Sequence, residues 1–183
     1  IQNLVDAGER LEFVLEMDCE SFPDVTSHNV IAEITGTEHP DEIIVFGGHL
    51  DSWDTGEGAH DDGAGVIHCL EGLRILKELD YKPEHTLRLV FFMNEENGNF
   101  GGKSYAQIVN DKGEQHIAAV ESDRGGFAPR GFSCDGNEEH LDMLASFESH
   151  FTGYDLHIFD PGYGGVDISP LKKYYEGIPL FGF

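Results

Sequence analysis

From about residue 28 onward, short apolar runs alternate with segments of helical periodicity, and this alternation restricts the fold more than any other feature of the chain. Val30 to Ile34 and Ile43 to Phe46 read as strands, Leu87 to Met93 as a buried strand, and Ile117 to Val120 as a further one. Between them, Val66, Leu70, Leu73, Ile75 and Leu76 recur at three-to-four spacing. That predicts a helix over 62–79, with Asp61 or Asp62 as its N-cap. Shorter helices are expected over 103–109, over 138–151 with a face of Leu141, Leu144, Phe147 and Phe151, and over 169–175. Strands alternating with helices predict a three-layer α/β/α sandwich around a mixed, largely parallel central sheet. Leu11 to Leu15 reads as one more strand, hairpinned at the edge with Val30 to Ile34.

The chain has 183 residues, enough for one globular domain with its own core, and nothing in it reads as a repeat or an internal linker. Its 35 Asp and Glu against 11 Lys and Arg give a formal charge of −24. A phosphate backbone repels such a chain and no basic stripe exists, so nucleic acid and anionic membranes are poor partners. No apolar run is long enough for a transmembrane helix. Cys19, Cys69 and Cys134 are far apart, which argues against a disulfide framework or a cysteine zinc site. The sequence opens on Ile1 without a leader and stops in the apolar run Gly177 to Phe183, and both ends read as those of a fragment.

In open α/β sheets the ligand site lies beyond the carboxyl ends of the strands. Here those positions are rich in metal-ligating residues. Ile43 to Phe46 leads into Gly47-Gly48-His49-Leu50-Asp51, Leu87 to Met93 into Asn94-Glu95-Glu96-Asn97-Gly98, and Ile117 to Val120 into Glu121-Ser122-Asp123. Asp61-Asp62-Gly63-Ala64-Gly65 opens the long helix. Carboxylates converging on one crevice repel one another unless a cation relieves them. Imidazole with carboxylate oxygens suits Zn²⁺, with Co²⁺ or Mn²⁺ as other occupants, whereas Ca²⁺ sites rarely use histidine. Glu95 and Glu96 are neighbours on an extended segment and point to opposite sides, so one can ligate while the other serves as general base. His49 and Asp51 point the same way, which lets Asp51 accept the second ring N–H of His49.

Each piece also has a plainer reading. Glu-Glu is a common surface dipeptide, Asp61-Asp62-Gly63 can simply cap a helix, and His60, which could ligate beside Asp61, reads more readily as a neighbour of ligands or a solvent-facing residue. His68 and Cys69 read as packing or surface residues of the long helix. His28, His39, His85, His116, His140, His150 and His157 have no ligand neighbour at useful spacing and read as non-functional. Only the joint pattern, ligands after three successive strands and at one helix start, points to chemistry.

Those motifs, together with the continuations Ser52-Trp53-Asp54 and Gly58-Ala59-His60, resemble the co-catalytic di-zinc exopeptidases, the family of bacterial leucyl aminopeptidases and glutamate carboxypeptidases. They are most similar to its plasma glutamate carboxypeptidase, or carboxypeptidase Q, branch, from about residue 10 to the end. The resemblance implies that Asp61 bridges two zinc ions, that His49 and Asp123 complete one ion, and that Glu96 ligates the other. It implies Glu95 as general base toward a metal-bridged hydroxide, Asp51 as the orienter of His49, and Tyr163, within Gly162 to Asp167, as a candidate to stabilise the oxyanion. The expected substrate is a peptide or dipeptide, the expected location secreted or periplasmic, and an oligomer is possible.

The family's last histidine ligand has no counterpart here, since no His follows His157. The second ion is then left with Asp61 and Glu96, too few for tight zinc binding, and weak or absent activity is expected of this chain. The family's upstream region and inserted protease-associated domain also have no counterpart. The competing reading is a catalytically silent binding module on the same fold, and behind it an acidic α/β domain with incidental carboxylates.

Overall fold

The computed structural model describes residues 1–183, in which a short helix, α1 (Gln2–Asp6), precedes a seven-stranded mixed sheet. In chain order the strands are β1 (Val30–Ile34), β2 (His39–His49), β3 (His85–Phe92), β4 (Gln115–Glu121), β5 (Gly131–Asp135), β6 (Ile158–Pro161) and β7 (Leu180–Gly182). Across the sheet they run β1-β3-β2-β4-β7-β5-β6. β2 lies parallel to both β3 and β4, and β4 is parallel to β7, so these four strands end at the same rim. β1 and β5 run antiparallel to β3 and β7, which makes the sheet mixed. No helix is long and apolar enough to cross a membrane.

Side-chain alternation along the central strands sorts the core into two faces. Val45, Val90 and Phe92 join Tyr105, Ala106 and Val109 of α3 (Phe100–Asp111) and Leu171 of a short 3₁₀ helix, Ser169–Lys173. On the other face Leu89, with Phe46 and Phe91, meets Cys69 and Leu73 of α2 (Gly63–Glu78). The sheet is thus covered on both sides, as the sequence pattern predicts. Burying a side chain of the size of Val90 or Phe92 contributes about 1.5–3 kcal/mol.

Several expected elements differ. Residues 9–29 carry no helix or strand, so the hairpin of Leu11–Leu15 with Val30–Ile34 is absent. β1 pairs with β3 instead, and Phe13, Val14 and Leu15 are exposed. The physical reason is that these three residues are consecutively apolar, so a strand there would put apolar groups on both faces while no tight turn fixes its register. The helix expected over 138–151 breaks into α4 (Glu138–Ser146) and α5 (Glu148–Phe151). The one expected over 169–175 is the 3₁₀ turn, with Pro170 near its start. β5 and β6 are additions that the pattern does not announce.

Candidate metal centre

β2, β3 and β4 deliver their last residues to one rim, and α2 starts there. Asp62 is the N-cap of α2, accepting from Gly65 N at 3.0 Å through Oδ1, while its other oxygen accepts from His49 N at 3.0 Å. This buried carboxylate therefore ties the helix start to the end of β2 and fixes where His49 begins. Its pKa is pushed up to about 7, by burial first and by Asp123 next, against the opposing pull of His49 and its two amide donors.

His49 is the centre of the cluster. Its Nδ1 lies 2.8 Å from the backbone carbonyl of Asp51, which leaves Nε2 as the free lone pair once Nδ1–H donates there. Nε2 stands 3.0 Å from Asp61 Oδ1, 3.4 Å from Asp123 Oδ1 and 4.0 Å from Glu95 Oε2. Donor atoms of His49, Glu95 and Glu96 fall within 4.8 Å of one another, as do those of His49, Asp62 and Asp123. His49 is buried while Asp61 is largely exposed, so the cluster opens to solvent on the Asp61 side.

The electrostatics show what the cluster lacks. Burial lowers the pKa of His49, yet the hydrogen bond to Asp123 and the charges of Asp123 and Asp62 override it and push it up to about 10. Glu95 is raised, by burial first and then by Asp123, Glu96 and Asp51, with His49 pulling the other way. Among the groups that shift these residues His49 is the sole cationic partner, so a proton on it is all that offsets several carboxylates. Zinc bonds of about 2.0–2.2 Å to nitrogen and oxygen place tetrahedral ligands roughly 3.3–3.5 Å apart. The distances from His49 Nε2 to Asp61 and Asp123, 3.0 and 3.4 Å, lie near that scale, and the imidazole–carboxylate donor set suits the metal.

One expected contact differs in the structure. The carboxylate of Asp51 does not hold the His49 ring; it stands 3.7 Å away, and the backbone carbonyl makes the contact. Instead it accepts from Glu95 N at 3.0 Å and Glu96 N at 3.3 Å, so Asp51 fixes both glutamates by their backbone. Replacing Asp51 with Ala is expected to weaken zinc binding about 10- to 100-fold with helix content unchanged. Isothermal titration beside circular dichroism checks this, and unchanged affinity contradicts it. The phenol of Tyr163 accepts from Ser169 Oγ at 3.0 Å and is half exposed, free to meet a bound substrate.

Sequence reasoning missed the frame around these residues. Glu121 turns away from the cluster, and its buried carboxylate accepts from Val166 N, Asp167 N and Ile168 N. Its pKa is pushed up to about 8, chiefly by burial. The carboxylate of Asp167 is buried with neither oxygen hydrogen-bonded, and burial together with Glu121 pushes its pKa up to about 9. Arg124, next to Asp123, donates to Ser133 Oγ at 2.7 Å and to the Tyr163 carbonyl at 2.6 Å, clamping the ligand loop to two neighbours. His60 Nδ1 accepts from Gly126 N at 3.0 Å and serves as a loop contact. In the sequence Asp167 stood out only as the end of a glycine-rich segment.

An α/β sandwich with an imidazole and several carboxylates at one rim of its parallel strands has the donor set of a metal centre. The family model for peptidase family M28 matches residues 29–181, and the chain belongs to that family. It is 38% identical to carboxypeptidase Q of Bos taurus over 139 residues, covering 76% of this chain and 29% of that protein. A peptidase M28 precursor from Shewanella amazonensis SB2B has the same fold with a TM-score of 0.76 and 35% identity, over 84% of this chain and 35% of that one. A zinc aminopeptidase from Bacillus subtilis matches at a TM-score of 0.65 and 21% identity, over 84% of this chain and 40% of that one, a likeness of fold. The chain thus spans less than a third of the bovine relative's length. These matches agree with the family resemblance drawn from the motifs.

Proposed function

We propose that this chain carries the catalytic centre of a zinc-dependent metallo-exopeptidase that hydrolyses the terminal bond of a peptide or dipeptide. The observation that carries the reading is His49 Nε2 facing Asp61 Oδ1, Asp123 Oδ1 and Glu95 Oε2 at 3.0, 3.4 and 4.0 Å. His49, Asp61 and Asp123 would hold one ion, and Asp61 with Glu96 a second. When bound, zinc supplies acidification of a water molecule and polarisation of the substrate carbonyl. Glu95 takes the proton from the attacking water at its carboxylate and passes it to the leaving amine. Asp51 holds Glu95 and Glu96 in place through their amides, and Arg124 keeps the loop that carries Asp123.

Belonging to a peptidase family, and the zinc aminopeptidase among the fold's likenesses, support the metal and the reaction class. Within this sequence only Asp61 and Glu96 serve the second position, so this chain by itself binds that ion weakly and turns over slowly. A secreted or periplasmic location is part of the proposal, by likeness to the branch the motifs resemble.

The test is hydrolysis of free and end-blocked dipeptides by a form of the protein as long as its relatives. Cleavage of the free dipeptide, and at least tenfold slower cleavage when the recognised terminus is blocked, is the expected result. Zinc uptake without cleavage of any of them would favour the silent binding module instead.

A further inference from the structure

A second group of metal-ligating side chains sits at the opposite rim, where β2 and β3 begin. The parallel ladder sets His39 beside His85, and their rings stack with centroids 5.1 Å apart and planes 17° from parallel. Glu84 Oε1 stands 3.7 Å from His39 Nε2 and 3.8 Å from His85 Nε2. Glu38 adds a second carboxylate, since donor atoms of Glu38, His39 and Glu84 all lie within 4.8 Å of one another. No lysine or arginine pairs with Glu38, Glu42 or Glu84, although His39 and His85 do.

The backbone holds the donors together. His39 N and Glu38 N both donate to the Glu84 carbonyl, at 2.9 and 3.2 Å. Behind the cluster, His85 Nδ1 is closed off from solvent and lacks a well-angled hydrogen bond, and Glu42 Oε2 is 2.9 Å from it. A small rotation of the ring aligns the two. A carboxylate on the rear nitrogen of a ligating imidazole fixes the tautomer that leaves Nε2 free, and Nε2 is the atom facing Glu84.

We propose that His39, His85 and Glu84, with Glu38 as a fourth donor, form a second, non-catalytic site for a divalent ion of the zinc class. Tetrahedral ligand separations are roughly 3.3–3.5 Å at zinc bond lengths, so Glu84 Oε1 needs to close on each imidazole by only a few tenths of an ångström. Two imidazoles among the donors select zinc and its transition-metal neighbours over Ca²⁺ and Mg²⁺, which prefer oxygen. The eleven residues of β2 separate the site from His49 by about 30 Å at strand rise, so the two ions are independent. An ion here ties the starts of two central strands and stabilises the folded chain by mass action.

The experiment is zinc titration of the 183-residue chain carrying His49→Ala and Asp123→Ala, which removes the first centre. One zinc per chain is expected to remain, with affinity falling more than about tenfold on adding His39→Gln and, separately, His85→Gln. No zinc uptake in the double variant, or uptake indifferent to both glutamines, overturns the proposal. Should the double variant fail to fold, ring ¹H–¹⁵N resonances of the unsubstituted chain give the answer. His39 and His85 are expected to shift together as zinc is added, and their standing still while other rings shift overturns it.

Discussion

Replacing Glu95 with Gln is expected to lower turnover about 10²- to 10⁴-fold in a form of the protein that hydrolyses dipeptides, while bound zinc is unchanged. The change removes a proton acceptor and keeps shape, and Glu95 N still donates to Asp51. The carboxylate lies 4.0 Å from His49 Nε2 in a crevice where burial and neighbouring acids raise its pKa, which suits a group that must take up a proton and release it. Steady-state kinetics beside metal analysis separate the outcomes. A Glu95→Gln protein at full rate removes Glu95 from the reaction, whereas loss of zinc along with rate makes it a ligand.

The second large effect is on folding. Gly65 sits in the first turn of α2, and a Cβ there would lie 1.8 Å from the Ser122 carbonyl and 2.3 Å from Asp62 Oδ1. Neither atom can yield cheaply, because one is backbone of the loop before Asp123 and the other caps the helix while the second oxygen of the same carboxylate accepts from His49 N. Gly65→Ala is therefore expected to destabilise the chain by about 3 kcal/mol or more and to displace the Asp123 loop. Urea unfolding with zinc titration checks both parts. A variant with unchanged midpoint and affinity would show that α2 and β4 are not packed as closely as described.

The parts of the fold that could be read from the sequence are those whose burial dictates residue type. β2, β3 and β4 are covered on both faces, so Ile43 to Phe46, Leu87 to Met93 and Ile117 to Val120 read as apolar runs with ligands after them. β5 and β6 were not legible, because Gly131 to Asp135 and Ile158 to Pro161 mix glycine, proline and polar residues. Leu11 to Leu15 has the apolar content of a strand without its alternation, and it forms none. In the crevice, residue type revealed the donors but not their geometry. That Asp51 uses its carbonyl on His49 and its carboxylate on the glutamate amides depends on how the loop after β2 meets the loop after β3, which spacing does not encode. His39 and His85 are 46 positions apart and meet through strand register, which a scan for neighbouring ligands passes over.

The central claim is that hydrolysis runs on a metal held by His49, Asp61, Asp123 and Glu96. Its most direct test is dipeptide hydrolysis by protein of the relatives' length, stripped with a chelator, dialysed, and then given zinc back. Activity lost on stripping and restored by zinc, with the fold intact throughout by circular dichroism, is the predicted result. Hydrolysis that persists in the metal-free protein would contradict the account.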